Sequence, residues 1–169
     1  GNIVAWYENG GSDNFISHKL GPTFGFAVST MDIDHDSDMD FVVALNYDGE
    51  IVLYENDGSA NFTEHIITSN ADNVRAVYTE DLDGDGDIDV LSAGWPSLSS
   101  PYGHRVKWYE NNGSEIFTPH IITAEGTFAK DWGVRTPTSV HATDLDNDGD
   151  MDVLTNSHLS HWGPSGFHM

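Results

Sequence analysis

The feature that most constrains this chain is a nine-residue acidic segment, DLDGDGDID at residues 81–89, with an aspartate at every odd position. Carboxylates spaced two residues apart repel one another, so this spacing favours a chain that wraps around a cation. In calcium-binding loops the side chains at positions 1, 3 and 5 converge on the ion, the carbonyl at position 7 joins them, and a later carboxylate closes the shell. Gly86 stands where such a loop turns sharply, since glycine adopts a positive φ without steric cost. The segment therefore predicts a calcium-binding loop.

The residues around this segment indicate which elements it connects. The closing acid, Asp89, stands at position 9, whereas a calcium loop between two helices requires a glutamate at position 12. Position 12 is Ser92, inside the apolar run at residues 88–93, which predicts a strand. The loop is therefore expected between two strands.

The acidic segment occurs three times. The other copies are DIDHDSDMD at residues 32–40 and DLDNDGDMD at residues 144–152. A solvated acidic surface does not require this fixed spacing, so three copies in register favour metal binding and predict up to three calcium ions. The first copy departs most from the pattern, because Ser37 replaces the glycine and His35 stands where the second copy has Gly84.

A second motif accompanies the acidic segments. It reads AWYENGGSDNFISH at residues 5–18, LYENDGSANFTEH at residues 53–65 and WYENNGSEIFTPH at residues 108–120. Each copy predicts a strand, a turn rich in Asn, Gly, Asp and Ser, and a returning strand. The motif recurs after 47 and then 55 residues. A period of this length indicates a solenoid, a propeller or an array.

Each repeat is interpreted as four short strands. Strand A precedes the aspartates (residues 74–79), strand B follows them (residues 88–93), strand C carries Tyr-Glu-Asn and strand D carries Phe-x-x-His. Helical periodicity is lacking, so the predicted fold class is all-β, with four antiparallel strands forming one β-propeller blade.

The strand order predicts one propeller-type domain spanning residues 1–169, in about three blades. Two blades are complete, and each end of the chain carries a half-blade. The predicted units are residues 1–20 (strands C and D), residues 21–69 and 70–123 (complete blades), and residues 124–169 (strands A and B with a C-terminal loop). Three blades are too few to close a ring. We therefore expect part of a larger or oligomeric propeller, completed by other copies or by the rest of a longer chain.

The acidic loops, the apolar strand after them and the WYEN-type turn together resemble the FG-GAP and VCBS-type repeats. This resemblance implies a calcium-binding β-propeller, usually of seven blades, in a secreted or cell-surface protein. It implies metal ligands at the matching positions: Asp32, Asp34, Asp36, Asp38, Asp40, Asp81, Asp83, Asp85, Asp87, Asp89, Asp144, Asp146, Asp148, Asp150 and Asp152. The chain departs from the family in its number of blades.

Composition narrows the possible partners. The chain has 28 acidic and 6 basic residues, a formal net charge of −22, so nucleic acid and anionic lipid are not expected to bind. Without cysteine, disulfides and thiol chemistry are excluded. No apolar run is long enough for a membrane span and no signal peptide opens the sequence, so we expect either a removed leader or a piece of a longer protein.

The longest connections, at residues 94–103 and 124–138, are predicted at the end of the blades opposite the acidic loops. Exposed aromatic side chains beside polar groups can stack on sugar rings, whereas the alternative is that they cover the blade core. The candidate ligand-binding residues are Trp95, Tyr102, Trp132, His158, His161 and Trp162. His158 and His161 have the HxxH spacing but lack a third zinc ligand.

Several repeated residues are interpreted as structural. His18, His65 and His120 recur at one place in strand D and are expected to bond a neighbouring turn. The repeated aromatic residues are expected in the blade core: Trp6, Trp108, Tyr7, Tyr54, Tyr109, Phe15, Phe62 and Phe117.

Catalytic signatures such as GxSxG, HExxH or a phosphate loop are lacking. The sequence therefore favours a non-enzymatic, extracellular, calcium-binding module for adhesion or assembly. One alternative is a lectin-like carbohydrate binder. Another is the accessory propeller portion of a larger secreted polysaccharide-active enzyme.

Overall fold

The computed structural model describes residues 3–20, 25–45, 49–71, 73–94, 106–123 and 135–159. Twelve strands and no helix occur in these ranges, so the predicted all-β fold class is confirmed. The strands are β1 (Ala5–Asn9), β2 (Phe15–Lys19), β3 (Gly25–Met31), β4 (Asp40–Leu45), β5 (Glu50–Asn56), β6 (Phe62–Thr68), β7 (Val74–Glu80), β8 (Asp89–Gly94), β9 (Val106–Asn111), β10 (Phe117–Ile121), β11 (Arg135–Thr143) and β12 (Asp152–Leu159). None of the described residues forms a helix able to cross a membrane.

The strands form four antiparallel sheets in the predicted order. Strands β3 to β6 make one four-stranded meander and β7 to β10 make another, while β1–β2 and β11–β12 are two-stranded. The predicted strands A, B, C and D correspond to consecutive strands of each meander, and the acidic loops lie between A and B. This arrangement confirms two complete blades and two half-blades. Among the described residues the first and last sheets are not paired, so these sheets do not close into a ring.

The core lies between sheets that pack face to face in chain order. Along β4, alternate side chains point to opposite faces. Val42 and Ala44 pack against the sheet β7–β10, while Phe41 and Val43 pack with Tyr54 on the side of β1–β2. Because both faces are covered, β4 is a continuous apolar run rather than an alternating one.

The second complete blade uses its other face in the same way. Leu91, Ala93 and Val106 pack against Val140 and Ala142 of β11. The molecule is therefore a stack of half-blade, blade, blade and half-blade, with one apolar layer at each junction.

The outer faces of the two half-blades remain uncovered in the described structure. Tyr54 and Tyr109 are buried as predicted, but the equivalent Tyr7 is 65% exposed, because no described sheet lies on the outer face of β1–β2. Phe15 is exposed for the same reason. At the other end Leu154 is 54% exposed, although its equivalent in the second blade, Leu91, is fully buried. The prediction of a core position is therefore wrong for Tyr7 and Phe15 within this chain.

Two predicted loop boundaries are also wrong. Strand β11 begins at Arg135, so residues 135–138 are not part of the D–A loop. Strand β12 continues to Leu159, so residues 156–159 extend strand B instead of opening a C-terminal loop.

Candidate metal centres

The three acidic loops share one backbone conformation at the turn between strands A and B. Positions 4 and 6 have positive φ in all three copies. The values are 63° and 77° at His35 and Ser37, 77° and 95° at Gly84 and Gly86, and 61° and 100° at Asn147 and Gly149. The glycines are explained by this geometry, because residues with a Cβ adopt it only with strain.

Each loop brings three carboxylates together. In the second loop, oxygens of Asp81, Asp83 and Asp85 all lie within 4.8 Å of one another. The first loop has the corresponding group, Asp32, Asp34 and Asp36. In the third loop the group is Asp144, Asp146 and Asp152, so position 9 takes the place of position 5. Oxygen-only clusters of this kind can hold a hard divalent cation.

Backbone N–H groups fix these carboxylates in place. Asp81 accepts hydrogen bonds from the Gly84 and Gly86 N–H groups, at 2.8 and 3.1 Å. Asp83 accepts one from Asp85 N at 3.2 Å, and Asp85 accepts one from Asp87 N at 2.8 Å. Each aspartate thus closes a turn two to five residues long, and the cluster is held by the local backbone.

One oxygen of the first loop lacks any hydrogen-bond partner. Asp32 Oδ2 accepts a hydrogen bond from Ser37 N at 3.1 Å, but Asp32 Oδ1 is buried and unsatisfied. Buried polar atoms are normally paired, and an unpaired carboxylate oxygen is costly. A calcium ion bound by this loop would satisfy that oxygen, so the residues present fit the ion that the family resemblance implies.

The aspartates at position 9 of the first two loops are buried inside the blade. Asp89 accepts hydrogen bonds from Leu82 N at 3.0 Å and from Asn111 N at 2.8 Å. Asp40 is held in the same way by Ile33 N and Asn56 N. Burial raises the pKa of both aspartates, although these hydrogen bonds oppose the shift. Position 9 therefore ties the acidic loop to strand C.

The asparagine of the Tyr-Glu-Asn motif has a role that sequence reasoning missed. In addition to its backbone bond to Asp89, Asn111 donates from Nδ2 to the Ile88 carbonyl at 3.2 Å and accepts from Glu115 N at 3.1 Å. Asn56 makes the equivalent contacts in the first blade. The signal was present, because every copy of the motif has asparagine at this place.

The side chains at position 7 lie over the turn between strands C and D. A Cβ added at Gly58 or at Gly113 would overlap the carboxylate of Asp38 or Asp87. This contact places the acidic loops and the Asn-Gly turns at the same end of the blades, as predicted.

The first and second loops also touch each other. His35 Nε2 lies 2.9 Å from the carbonyl oxygen of Gly86, so the imidazole bridges the two loops. The predicted ligands Asp148 and Asp150 interact within the third loop, where Asp148 Oδ1 accepts a hydrogen bond from Asp150 N at 3.0 Å.

The predicted ligand-binding surface lies almost wholly outside the described residues. Trp95, Tyr102, Trp132, His161 and Trp162 fall in ranges that the structure does not describe. His158 belongs to β12, and at this residue the backbone alone is described. Carbohydrate binding at these residues stays a prediction.

Comparison with known families agrees with this geometry. A family model described as an FG-GAP-like repeat matches residues 32–92 and 93–155. The first match begins at the first acidic loop, and the second ends in strand B after the third loop. A search of curated proteins found no match. The match supports the FG-GAP resemblance specifically and covers most of the sequence, so this chain belongs to the FG-GAP-like repeat family.

Proposed function

We propose that this chain is a non-enzymatic, calcium-binding β-propeller module of an extracellular or cell-surface protein, used for adhesion or assembly. The observation that carries the proposal is that a cluster of three aspartates forms in each of the three acidic loops. Three carboxylates lie within 4.8 Å of one another in each loop, and one of their oxygens, Asp32 Oδ1, is buried without a partner.

The donor set favours calcium over other common ions. All the clustered ligands are oxygens, which excludes the nitrogen and sulfur donors that zinc and copper prefer. A loop of carboxylates with the backbone carbonyl of position 7 can supply the six to eight oxygens that Ca²⁺ takes, with water completing the shell. Mg²⁺ requires a smaller octahedral shell and retains its waters, so it fits this loop less well.

Calcium in these loops would act on the fold as a whole. Each loop connects strands A and B of one sheet, and Asp40 and Asp89 connect the first two loops to strand C. Neutralising the clustered carboxylates removes their repulsion from the folded state. An ion that binds the folded chain alone stabilises it by mass action.

The uncovered faces support a role in assembly. The faces that carry Tyr7 and Leu154 are equivalent to faces that are buried between neighbouring sheets elsewhere in the molecule. An apolar cavity of about 390 Å³, lined in part by Trp6, Val28 and Phe41, lies beside β1–β2 where a complete blade would have its strands A and B. A second hairpin of the β11–β12 type fits that place, supplied by another copy or by another part of a longer chain.

Isothermal titration of the calcium-stripped protein tests the binding proposal. We expect Ca²⁺ to bind at up to three sites and Mg²⁺ to compete weakly. The variant Asp83→Ala removes one carboxylate of the second loop and should reduce the number of tight sites by one. Titration without heat, or equal binding of Ca²⁺ by the wild type and this variant, would contradict the assignment.

A further inference from the structure

A second kind of ligand cluster lies between the two complete blades. Glu55 and His65 belong to strands β5 and β6 of the first blade, and Glu115 belongs to the turn between β9 and β10 of the second. One potential ligand atom from each lies within 4.8 Å of the others. His65 Nε2 is 2.9 Å from Glu55 Oε2, and His65 Nδ1 is 3.7 Å from Glu115 Oε2.

The third carboxylate distinguishes this cluster from its equivalents. The same glutamate and histidine face each other in the other two hairpins, as Glu8 with His18 and Glu110 with His120. In the first complete blade, the turn position of Glu115 is occupied by Ala60. Both residues have positive φ, 55° and 59°, so the turn itself does not require a glutamate.

The imidazole of His65 also differs from its equivalents. His18 stacks on Trp6 and His120 stacks on Trp108, with ring centroids 4.1 and 4.6 Å apart. The residue paired with His65 across the hairpin is Leu53, which has no aromatic ring. The His65 ring therefore lacks the stacked tryptophan that holds the rings of the other two histidines.

The hydrogen bonding of His65 is incomplete. His18 Nε2 and His120 Nε2 each form a hydrogen bond with the glutamate of their own hairpin. His65 Nε2 is buried and forms none, although the Glu55 oxygen is 2.9 Å away, because that oxygen is poorly aligned with the ring nitrogen. A buried polar atom without a hydrogen bond needs another partner.

The charge of the cluster indicates what that partner is. Two carboxylates held together with an imidazole form a net negative site, which attracts a cation. The three side chains are 26–42% exposed, so water and an ion can reach them.

We propose that Glu55, His65 and Glu115 bind one divalent transition-metal ion, with Zn²⁺ as the best fit. One imidazole nitrogen and two carboxylate oxygens supply three positions of a tetrahedral shell, and water supplies the fourth. Glu55 lies beside Nε2 of His65 and Glu115 lies beside Nδ1, so the imidazole has to turn until one ring nitrogen faces both carboxylates. The ligand atoms then approach to about 3.3 Å from one another for the usual zinc bond lengths. The imidazole selects zinc over calcium, so this site is separate from the acidic loops. The ion links the first complete blade to the second.

Zinc titration of the full chain in saturating calcium tests this site. The test variant is Glu115→Ala. It introduces the residue found at the equivalent turn position of the first complete blade, so the turn is expected to keep its conformation. The matched control is Glu110→Ala, which removes the glutamate from the pair that lacks a third ligand. We expect Glu115→Ala to weaken the tightest zinc site at least tenfold and Glu110→Ala to leave it unchanged.

Two further readouts report coordination and folding separately. Co²⁺ in place of zinc should give visible absorption bands in the wild type and in Glu110→Ala, and these should be lost in Glu115→Ala. Calcium-loaded melting curves of the three proteins should agree within a few degrees without zinc. Equal zinc affinity of the wild type and Glu115→Ala, or equal weakening by both substitutions, would overturn the proposal and assign the binding to other histidines.

Discussion

At the scale of single residues, the aspartates of one loop have different roles despite their regular spacing. Asp83 and Asp85 are exposed and clustered, whereas Asp89 is fully buried and accepts two backbone hydrogen bonds. The sequence predicted all of them as ligands, and this stays a prediction, but spacing alone does not show which carboxylate also joins the loop to its sheet. That distinction depends on strand C, which follows about twenty residues later in the chain.

Substitution of Asp89 by asparagine should therefore weaken the fold even without calcium. The amide offers one acceptor where the carboxylate offers two, so the Leu82 or the Asn111 N–H loses its partner. We expect the free energy of unfolding to fall by about 1–3 kcal/mol. Urea denaturation of the calcium-free proteins measures the change. The control Asp85→Asn keeps its acceptor oxygen for Asp87 N and removes a repelling charge, so a comparable loss in that variant would contradict the proposed role of Asp89.

The buried aspartates also predict an unusual pH dependence for the calcium-free protein. Burial raises the pKa of Asp40 and Asp89 above the ordinary value of 3.8, so between that value and the raised pKa the folded state holds more protons than the unfolded state. The free energy of unfolding should then fall as the pH rises through this window. Calcium needs deprotonated ligands, so the calcium-loaded protein should show the opposite trend.

Melting curves at about pH 4 and pH 7, recorded with and without calcium, check this prediction. We expect the calcium-free protein to melt at the higher temperature near pH 4 and the calcium-loaded protein to melt at the higher temperature near pH 7. If the calcium-free protein becomes more stable as the pH rises, these two carboxylates do not control the pH dependence of its stability.

At the scale of elements, turn chemistry and repetition predicted most strands to within a residue or two. Strands β7 and β8 match the predicted residues 74–79 and 88–93 closely, because aspartates and glycines delimit the apolar runs. The start of β11 was missed because it contains Pro137, which usually argues against a strand. The structure accommodates the proline at a register shift between Pro137 and Ser139. Such a bulge depends on the partner strand and is not visible in a local pattern.

The acidic loops are equivalent in fold but unequal in strain. Ser37 has a φ of 77° at the place where Gly86 has 95°. We expect Ser37→Gly to stabilise the first loop by about 1 kcal/mol and to tighten its calcium binding, because glycine adopts this conformation without the steric cost. Titration calorimetry and thermal melting measure both effects. The reverse change, Gly86→Ser, should have the opposite sign, and two effects of the same sign would contradict the assignment of strain to position 6.

At the scale of the whole molecule, the sequence predicted the half-blades but not which repeated side chains they leave uncovered. Tyr7, Tyr54 and Tyr109 stand in the same motif, and exposure separates them only because a sheet covers the last two. Whether a side chain is buried depends on the neighbouring sheet, and identical motifs do not all have a described sheet beside them. The predicted carbohydrate surface involves residues that the structure does not describe.

The uncovered faces predict association in solution. We expect the chain in calcium to form a multichain assembly in which β11–β12 of one copy completes the half-blade β1–β2 of another copy, which buries the face carrying Leu154. Leu154→Asp should shift the mass measured by light scattering toward the monomer, because a charge on this face opposes burial. Ile66→Asp is the control, since Ile66 is about as exposed but lies on strand β6 of a complete blade. A monodisperse wild-type monomer with cooperative unfolding would contradict the expected assembly.

The most direct test of calcium as the ion that stabilises these blades is the melting temperature of the calcium-stripped chain as free Ca²⁺ is raised at constant ionic strength. Each tenfold rise in free calcium above the dissociation constant should add about 1.4 kcal/mol of stability per occupied site. The melting temperature should therefore climb steadily into the millimolar range, return to its starting value in EDTA, and change little with Mg²⁺. Superimposable melting curves with and without calcium, or an equal rise with Mg²⁺, would contradict the account.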